Sequence, residues 1–356
     1  MPGAIRAAIS TARRRANILS GASETELVLI LGDIHANEAA LMAVLNDAYT
    51  RYPVRRLPIW FLGDLFGRGP RPASAYHRLM QEKPEAFVIG NHESGLIGMY
   101  ENVRFADTVS GAYNRADWDV LMLHREDLYN RGLLECRNGQ VVGGKVVDEI
   151  QRWPTICAPH PSIYMVHGGL ERPFEPPQYG DMDALRYRLL WEYVNEPSRA
   201  EYTLEAVKWV AAHRPDENYI ALHPQGAVAP ELVLVGHWHA RLLYDQNSGK
   251  WHNPVLLDAP YSLDGRVVLL SPGSVGFPRE NGELDASYCV LTIRNHHPFQ
   301  VVFHKCAYDR GAVRDEMVRQ GYPPETVKRL RLPGETETAR PGAPRSRRGC
   351  TPDGKG

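Results

Sequence analysis

The chain has few cysteines, and their placement argues against two kinds of site. Five cysteines are scattered over 356 residues, and no two of them form a Cys-x-x-Cys pair. An odd and dispersed set does not support a disulfide framework, and it offers no thiolate pair for tetrahedral zinc. The sequence therefore predicts reduced thiols and a cytoplasmic location.

Long apolar runs and an excess of charge of one sign are also missing. No stretch approaches the roughly 18 to 20 apolar residues that a membrane-spanning helix needs. The 41 basic side chains are balanced by 42 acidic ones, for a formal net charge of -1. This balance gives no general reason to expect a membrane or a nucleic acid as partner. An ordinary globular chain remains, long enough to bury a substantial core.

Composition predicts one domain between two segments that have little to bury. Residues 1–26 carry four arginines and are interpreted as an N-terminal extension, with an organelle transit peptide as the alternative. Residues 27–331 form the predicted domain. Residues 332–356 are rich in Pro, Gly, Arg and Thr and form a predicted disordered tail. Within the domain, residues 94–147 and 171–229 interrupt the strand pattern and are interpreted as insertions, including a cap over the site.

Five short apolar runs carry the functional signal, because each ends at a cluster of polar residues. The runs are Leu27 to Leu31, Ile59 to Leu62, Ala86 to Ile89, Ile163 to Val166 and Leu232 to Val235. Short apolar runs that stop at a turn are typical of buried strands. A predicted helix over 37–50, with helical spacing of its apolar residues, lies between the first two runs. A second predicted helix over 75–80, opened by a proline, lies between the second and third runs. The alternation predicts a layered α/β domain with right-handed crossovers.

The polar clusters at the ends of these runs contain typical metal-binding side chains. They are Asp33-x-His35, Gly63-Asp64, Gly90-Asn91-His92, His167-Gly168-Gly169 and Gly236-His237-x-His239. Ligands of open α/β sheets bind beyond the carboxyl ends of the strands, so we expect seven donors to meet at one sheet edge. Any single cluster is more often a turn or a polar strand end, but their repetition favours a site for two metals. Two such metals need a bridging carboxylate, and Asp64 suits that role.

In this order the clusters resemble the signature of the calcineurin-like metallophosphoesterases, over roughly residues 27–330. The resemblance implies a four-layer α/β/β/α sandwich of two mixed sheets, with a helical cap insertion. It also implies the ligands of two metal ions. Asp33, His35 and His239 would bind one ion, Asn91, His167 and His237 would bind the other, and Asp64 would bridge them. Mn, Fe or Zn would suit such mixed nitrogen and oxygen donors.

The resemblance further implies a reaction, in which a hydroxide shared by the two metals attacks phosphorus in line. His92 follows a ligand and is predicted to protonate the leaving oxygen, with a purely orienting role as the alternative. Arg68 occupies a position where related protein phosphatases carry a phosphate-binding arginine. The alternative for Arg68 is a solvent-facing residue of a turn.

Two subgroups of the family compete. Gly-Asn-His-Glu93 is similar to the Ser/Thr protein phosphatases, but that group has a second Asp where this chain has Gly67. The smaller bacterial phosphoesterases are similar to this chain in two segments, one ending at Asn37 and one ending at Gly276 and followed by Pro-Arg279. We therefore expect a dinuclear hydrolase of phosphate mono- or diesters, acting on a small or nucleotide-like substrate. A Ser/Thr protein phosphatase acting on phosphoproteins is the alternative.

A non-catalytic binding scaffold of the same fold is a third hypothesis. Scaffolds of this kind typically lose a metal ligand or the catalytic histidine. Every expected donor and His92 are present here, so the sequence favours an enzyme.

Overall fold

The structure of the protein, a computed structural model, describes most of the chain. The described residues are 25–54, 56–98, 115–177, 182–214, 220–223, 226, 228–253, 255–279, 284–332 and 335. The predicted extension and tail lie almost wholly outside these ranges, as do parts of both predicted insertions. The boundaries expected for the domain, the insertions and the tail therefore stay predictions.

Alternating strands and helices build one half of the first sheet. They are β1 (Thr25–Leu31), α1 (Glu38–Arg51), β2 (Ile59–Phe61), α2 (Pro72–Gln81) and β3 (Ala86–Phe87). Leu31 pairs with Phe61 and Phe61 pairs with Phe87, both in parallel register. The expected alternation of strand and helix is confirmed. As a result, the polar clusters after these three strands leave the same edge of the sheet.

Three later strands complete the first sheet on the other side of β1. They are β12 (Pro260–Ser262), β14 (Ala286–Arg294) and β15 (His297–Cys306). The strand order is β12-β15-β14-β1-β2-β3, and the added strands pair antiparallel. The first sheet is thus mixed, with its parallel half next to the polar clusters.

The strands that precede the last two clusters belong to a second mixed sheet. Its members are β6 (Ile156–His160), β7 (Ile163–Val166), β8 (Ile220–Ala221), β9 (Leu232–Val235), β10 (Arg241–Asp245), β11 (Lys250–His252) and β13 (Val268–Pro272). Their order is β11-β10-β13-β9-β7-β6-β8. Val166 pairs with Val235 in parallel, so the residues after β7 and β9 emerge side by side.

The expectation that all donors meet at the edge of a single sheet is therefore wrong. Three clusters follow strands of the first sheet, and two follow strands of the second. A hydrogen bond of 2.7 Å between His167 Nδ1 and the carbonyl oxygen of Leu62 joins the two edges. The candidate site lies where the ends of two face-to-face sheets meet, and the presence of two sheets is what the family resemblance implied.

Apolar layers on both faces of each sheet hold the four layers together. Neighbouring strand residues point to opposite faces. Accordingly, Ile30 and Met165 lie in the core between the sheets, while Leu29 packs outward against helix α1. Tyr164 packs outward on the second sheet, against helices α6 (Met182–Trp191) and α7 (Pro197–His213). This arrangement confirms the α/β/β/α sandwich.

The remaining elements lie largely in the regions interpreted as insertions and at the carboxyl end. They are α3 (Asn91–Leu96), α4 (Arg115–Asn130), β4 (Glu135–Arg137), β5 (Gln140–Gly143), α5 (Lys145–Ile150), α8 (Arg310–Arg319) and α9 (Pro324–Arg329). Strands β4 and β5 form a separate hairpin, so the first of these regions is not entirely helical. Strand β8, from the second region, pairs with β6 and extends the second sheet. That region therefore contributes to the domain itself.

Candidate metal centre

The backbone turns sharply where it delivers the predicted ligands. Five of them have a positive φ, namely Asp33 (54°), His35 (49°), Asp64 (60°), His237 (62°) and His239 (65°). Non-glycine residues rarely adopt this left-handed conformation, which costs on the order of 1 kcal/mol or more per residue. Such strain persists where the surrounding structure enforces it, and it is concentrated at functional sites. The strands that precede these five residues therefore end in turns that redirect their side chains into one shared space.

The first group of candidate ligands consists of Asp33, His35, Asp64 and His239, all buried and with ligand atoms within 4.8 Å of one another. The Nε2 atoms of His35 and His239 are 2.9 Å apart. His239 Nε2 is 3.2 Å from Asp33 Oδ1, and His35 Nε2 is 3.5 Å from Asp64 Oδ2. Four donor atoms from both sheets thus surround one point.

Backbone carbonyls set the tautomers of the two imidazoles in this group. Nδ1 of His35 lies 2.9 Å from the carbonyl oxygen of Phe66, and Nδ1 of His239 lies 2.7 Å from that of Phe277. A carbonyl accepts a hydrogen bond, so both Nδ1 atoms carry the proton. Both Nε2 lone pairs then face the same space, which is the orientation that metal-binding histidines adopt.

The second group consists of Asp64, His167 and His237. His167 Nε2 is 3.3 Å from Asp64 Oδ1, the oxygen that does not face His35. His237 Nε2 is 3.0 Å from the carbonyl oxygen of Trp191, which leaves its Nδ1 directed at the centre. Asp64 is common to both groups and presents one carboxylate oxygen to each.

The amide of Asn91 has the orientation that a ligand of a cation would adopt. When His167 is neutral, as a metal ligand must be, the Asn91 Oδ1 faces only acceptor atoms, at 3.0 Å from His167 Nε2 and from His237 Nδ1 and at 3.2 Å from both oxygens of Asp64. With hydrogen bonds alone, the opposite orientation of the amide would be favoured, because its NH₂ could donate to them. A cation among these atoms reverses that preference, because the amide oxygen and the imidazole lone pairs then bind the same ion.

Burial keeps most of the imidazoles in the neutral form that binds metals. It lowers the pKa of three of them well below the usual range, namely His35, His237 and His239. Burial also raises the pKa of Asp33 to about 8. Without a compensating cation, the ionised form of this carboxyl group is therefore unfavourable.

The pKa values of Asp64 and His167 shift against the effect of burial, because each group stabilises the charged form of the other. Burial raises the pKa of Asp64, but the charges of His167 and His92 outweigh it and hold that pKa well below the usual value. Burial lowers the pKa of His167, but the Asp64 carboxylate outweighs it and raises the pKa to about 9. A metal that binds His167 must displace this proton, so binding at neutral pH releases a proton.

Glu93 is a residue of the centre whose role the sequence interpretation missed. Its buried carboxylate accepts hydrogen bonds from four backbone N–H groups, those of Asp64 (2.7 Å), Leu65 (2.7 Å), Phe66 (3.1 Å) and Gly90 (2.8 Å). These bonds join the turn after β2 to the turn after β3. A Cβ atom at Gly90 would lie 2.2 Å from Asp64 Oδ1, so only glycine permits this close approach. The motif Gly-Asn-His-Glu was the available signal.

Replacement of Glu93 is expected to destabilise the fold even without metal. Glu93→Ala leaves four buried N–H donors without an acceptor, at about 1 to 3 kcal/mol each. We expect the free energy of unfolding to fall by about 3 kcal/mol or more. The free energy of unfolding of Glu93→Gln should lie between those of Glu93→Ala and the native chain, because the amide NH₂ of glutamine faces two of the four N–H donors. Urea unfolding of the protein after its metal has been removed with a chelator measures both variants, with the exposed Glu85→Gln as control. An unchanged midpoint for Glu93→Ala would contradict this role.

His92 lies beside the centre without joining either group of ligands in the described part of the chain. Its Nε2 is 3.9 Å from Asp64 Oδ2, and its ring packs edge-on against His35 with centroids 4.7 Å apart. Its backbone N–H donates to Asp64 Oδ1 at 3.0 Å. Burial lowers the pKa of His92 to about 4. The side chain is therefore held next to the shared carboxylate.

Arg68 is a buried cation with no carboxylate within 4.0 Å among the described residues. Its side chain is 6% exposed, so the alternative of a solvent-facing arginine is wrong. Its Nε has no hydrogen-bond partner, and its Nη1 lies 3.2 Å from His239 Nδ1. That nitrogen already donates its proton to Phe277 and cannot accept another. The guanidinium group thus retains hydrogen-bonding capacity beside the centre.

Tyr193 and Arg279 also border the centre, and neither was predicted as a site residue. The Tyr193 ring stacks on the His237 ring, with centroids 4.4 Å apart and planes 13° apart. The guanidinium carbon of Arg279 is 5.5 Å from the Tyr193 ring centroid, and the Arg279 backbone N–H donates to the carbonyl of His239 at 3.2 Å. Burial raises the pKa of Tyr193, but Arg279 outweighs it and holds the pKa below its usual value. A second guanidinium group therefore lies close to the ligands.

Comparison with known proteins identifies the family. The model of the calcineurin-like phosphoesterase family matches residues 27–241, and the chain belongs to that family. It is therefore a metallophosphoesterase, from a family that depends on metal ions, and its centre contains His and Asp residues that could bind them. In the described part of the chain, we find no helix that is long and apolar enough to span a membrane.

Two relatives match most of the chain. A metallophosphoesterase structure from Sphaerobacter thermophilus has a TM-score of 0.55 and 24% identity, and the match covers 86% of this chain and 98% of that one. An uncharacterized protein of Methanocaldococcus jannaschii is 24% identical over 307 residues, which are 86% of this chain and 98% of the relative.

A third relative matches a shorter segment. The symmetrical bis(5'-nucleosyl)-tetraphosphatase of Psychromonas ingrahamii is 29% identical over 108 residues, covering 29% of this chain and 38% of that protein.

Proposed function

We propose that the protein is a dinuclear metallohydrolase of phosphate mono- or diesters, acting on small or nucleotide-like molecules. The observation that supports this most directly is the position of Asp64, whose two oxygens face two separate groups of donors. In this proposal Asp33, His35 and His239 hold one ion, and Asn91, His167 and His237 hold the other. Bound Mn, Fe or Zn would activate water and neutralise phosphate charge.

His92 is the proposed general acid for the leaving oxygen, and in this role the negative charge of the bound phosphate would raise its pKa above the value of about 4. Its backbone N–H is bonded to the shared carboxylate, and its ring packs on His35, so its position is tied to the centre. The ring nitrogen lies too far from Asp64, at 3.9 Å, for a direct hydrogen bond. A side chain that is fixed beside the ligands, yet outside both groups, is suited to contact the substrate.

Arg68 and Arg279 are the proposed anchors for the non-bridging phosphate oxygens. Arg68 is buried without a carboxylate partner among the described residues, and burial lowers its pKa to about 10, so it remains charged at neutral pH. A phosphate would supply the missing anion, and a planar guanidinium group matches its geometry. Two such groups beside His239 favour an anionic substrate.

Loss of the planar guanidinium group of Arg68, with its forked N–H donors, is expected to weaken substrate binding more than turnover. Arg68→Met should lower kcat/KM by about 10²-fold, since charged hydrogen bonds to phosphate contribute about 1.5 to 3 kcal/mol each. Arg68→Lys should recover only part of that loss, because lysine keeps the charge but not the fork. Steady-state kinetics and metal content measure this, with the exposed Arg131→Met as control. Native kcat/KM in Arg68→Met would exclude the anchoring role.

A feature of the loop after β2 favours the small phosphoesterases over the protein phosphatases. Gly67 has φ +83°, and a Cβ atom there would lie 2.0 Å from His92 Nδ1. The aspartate that protein phosphatases carry at this position would therefore collide with His92 on this backbone. The nucleotide preference is supported by the partial similarity to a bis(5'-nucleosyl)-tetraphosphatase.

The test is turnover of the metal-loaded protein on four substrates: a monoester, a diester, a dinucleoside polyphosphate and a phosphopeptide. We expect the highest kcat/KM on one of the three small molecules. A phosphopeptide preference would instead establish the protein-phosphatase alternative. Two bound metal equivalents without turnover of any substrate would favour the scaffold.

A further inference from the structure

One histidine of helix α4 contacts the backbone on both sides of Arg68. The side chain of His124 is fully buried. Its Nδ1 is 3.1 Å from the backbone nitrogen of Gly67, and its Nε2 is 2.8 Å from the carbonyl oxygen of Gly69. A single imidazole thus joins the backbone of the residue before the arginine to that of the residue after it.

The partners of His124 define its tautomer. The N–H of Gly67 is a donor, so Nδ1 must accept, and Nε2 then carries the proton that it donates to Gly69. The hydroxyl group of Tyr322 donates to the same carbonyl oxygen at 2.9 Å, from the segment between α8 and α9. Burial lowers the pKa of His124 to about 4, so the neutral ring with both hydrogen bonds persists at neutral pH.

The loop needs such support because both its conformation and its charge are unfavourable. Arg68 has φ +65°, a left-handed conformation that an arginine rarely adopts. Its buried guanidinium group has no carboxylate within 4.0 Å among the described residues. The Asp117 carboxylate acts on it only from a greater distance, and a buried charge without a direct partner is costly. On the opposite side, the N–H of Gly69 donates to the carbonyl of His35 at 2.8 Å.

We infer that His124 and Tyr322 are positioning residues, which hold the Gly67–Gly69 loop so that Arg68 faces the phosphate of the substrate. This inference rests on the proposed phosphate-anchoring role of Arg68. It also gives helix α4 and the segment between α8 and α9 a part in substrate binding, although neither residue touches the substrate.

The test compares the binding of inorganic phosphate to Mn²⁺-loaded variants by calorimetry. His124→Leu removes both hydrogen bonds and should weaken phosphate binding about 10-fold, with a matching rise in KM and a change in kcat of less than about 3-fold. His124→Asn can still accept from Gly67 and should recover part of the affinity. Tyr322→Phe keeps the ring and should weaken binding about 3-fold.

A double-mutant cycle separates positioning from general destabilisation. In an Arg68→Met background, His124→Leu should change phosphate binding by less than about 2-fold, because the anchor is already absent. Equal effects of His124→Leu in both backgrounds would overturn the inference. If His124→Leu does not fold, His124→Asn and Tyr322→Phe provide the same comparison.

The outcomes also separate this inference from the proposed function. Unchanged phosphate binding in Arg68→Met would refute the anchoring role itself. Weak binding in Arg68→Met, together with native binding in all His124 and Tyr322 variants, would refute only the positioning role.

Discussion

Asp64→Asn is expected to remove or misplace both metal ions and to abolish turnover. The two carboxylate oxygens face different groups, Oδ2 at 3.5 Å from His35 Nε2 and Oδ1 at 3.3 Å from His167 Nε2. An amide offers only one oxygen, and its NH₂ would turn a donor toward the other group. The variant also loses the negative charge that offsets two cations. We expect turnover to fall by about 10⁴-fold or more, since ligand and bridge are lost together.

Elemental analysis and steady-state kinetics on the same preparation measure both consequences. Asp148→Asn, an exposed substitution of the same kind, is the matched control and should retain native metal content and turnover. Native turnover with a full complement of metal in Asp64→Asn would show that this carboxylate does not bridge two ions.

His92→Ala is expected to retain its metals but to lose rate in a way that depends on the leaving group. His92 lies outside both ligand groups, so metal content should stay near the native level. An alkyl leaving group needs a proton, whereas a nitrophenolate leaves without one. We therefore expect a loss of about 10² to 10⁴-fold on alkyl esters and of less than about 10-fold on nitrophenyl esters.

The ratio of the two losses is the decisive quantity, because it does not depend on the fraction of active protein. His77→Ala, at an exposed histidine, is the control. Equal losses on both ester types would assign His92 an orienting role, the alternative that the sequence left open.

Local sequence was sufficient to place the strands that bear the ligands. The runs Ile163 to Val166 and Leu232 to Val235 were predicted with the bounds that β7 and β9 have. Both faces of these strands are buried, so the apolar signal is continuous and stops sharply at the polar residues. The seven candidate ligands and His92 could be proposed from the sequence for the same reason.

Long-range contacts were beyond the reach of that signal. The pairing of strands into two sheets depends on contacts between distant segments, so the expectation of one sheet edge was wrong. The role of Glu93 depends on four N–H groups that two different turns direct at one carboxylate. A carboxylate in a short motif does not show which backbone groups will surround it.

The sequence by itself determined which side chains are available for metal chemistry and which strand each of them follows. Only the tertiary structure decided that Asp64 faces two groups of donors, that Arg68 is buried without a carboxylate partner among the described residues, and that His124 contacts the loop from another helix. The physical reason is that donor types and apolar runs are local properties of the chain. Distances, burial and charge pairing arise only when segments hundreds of residues apart pack together.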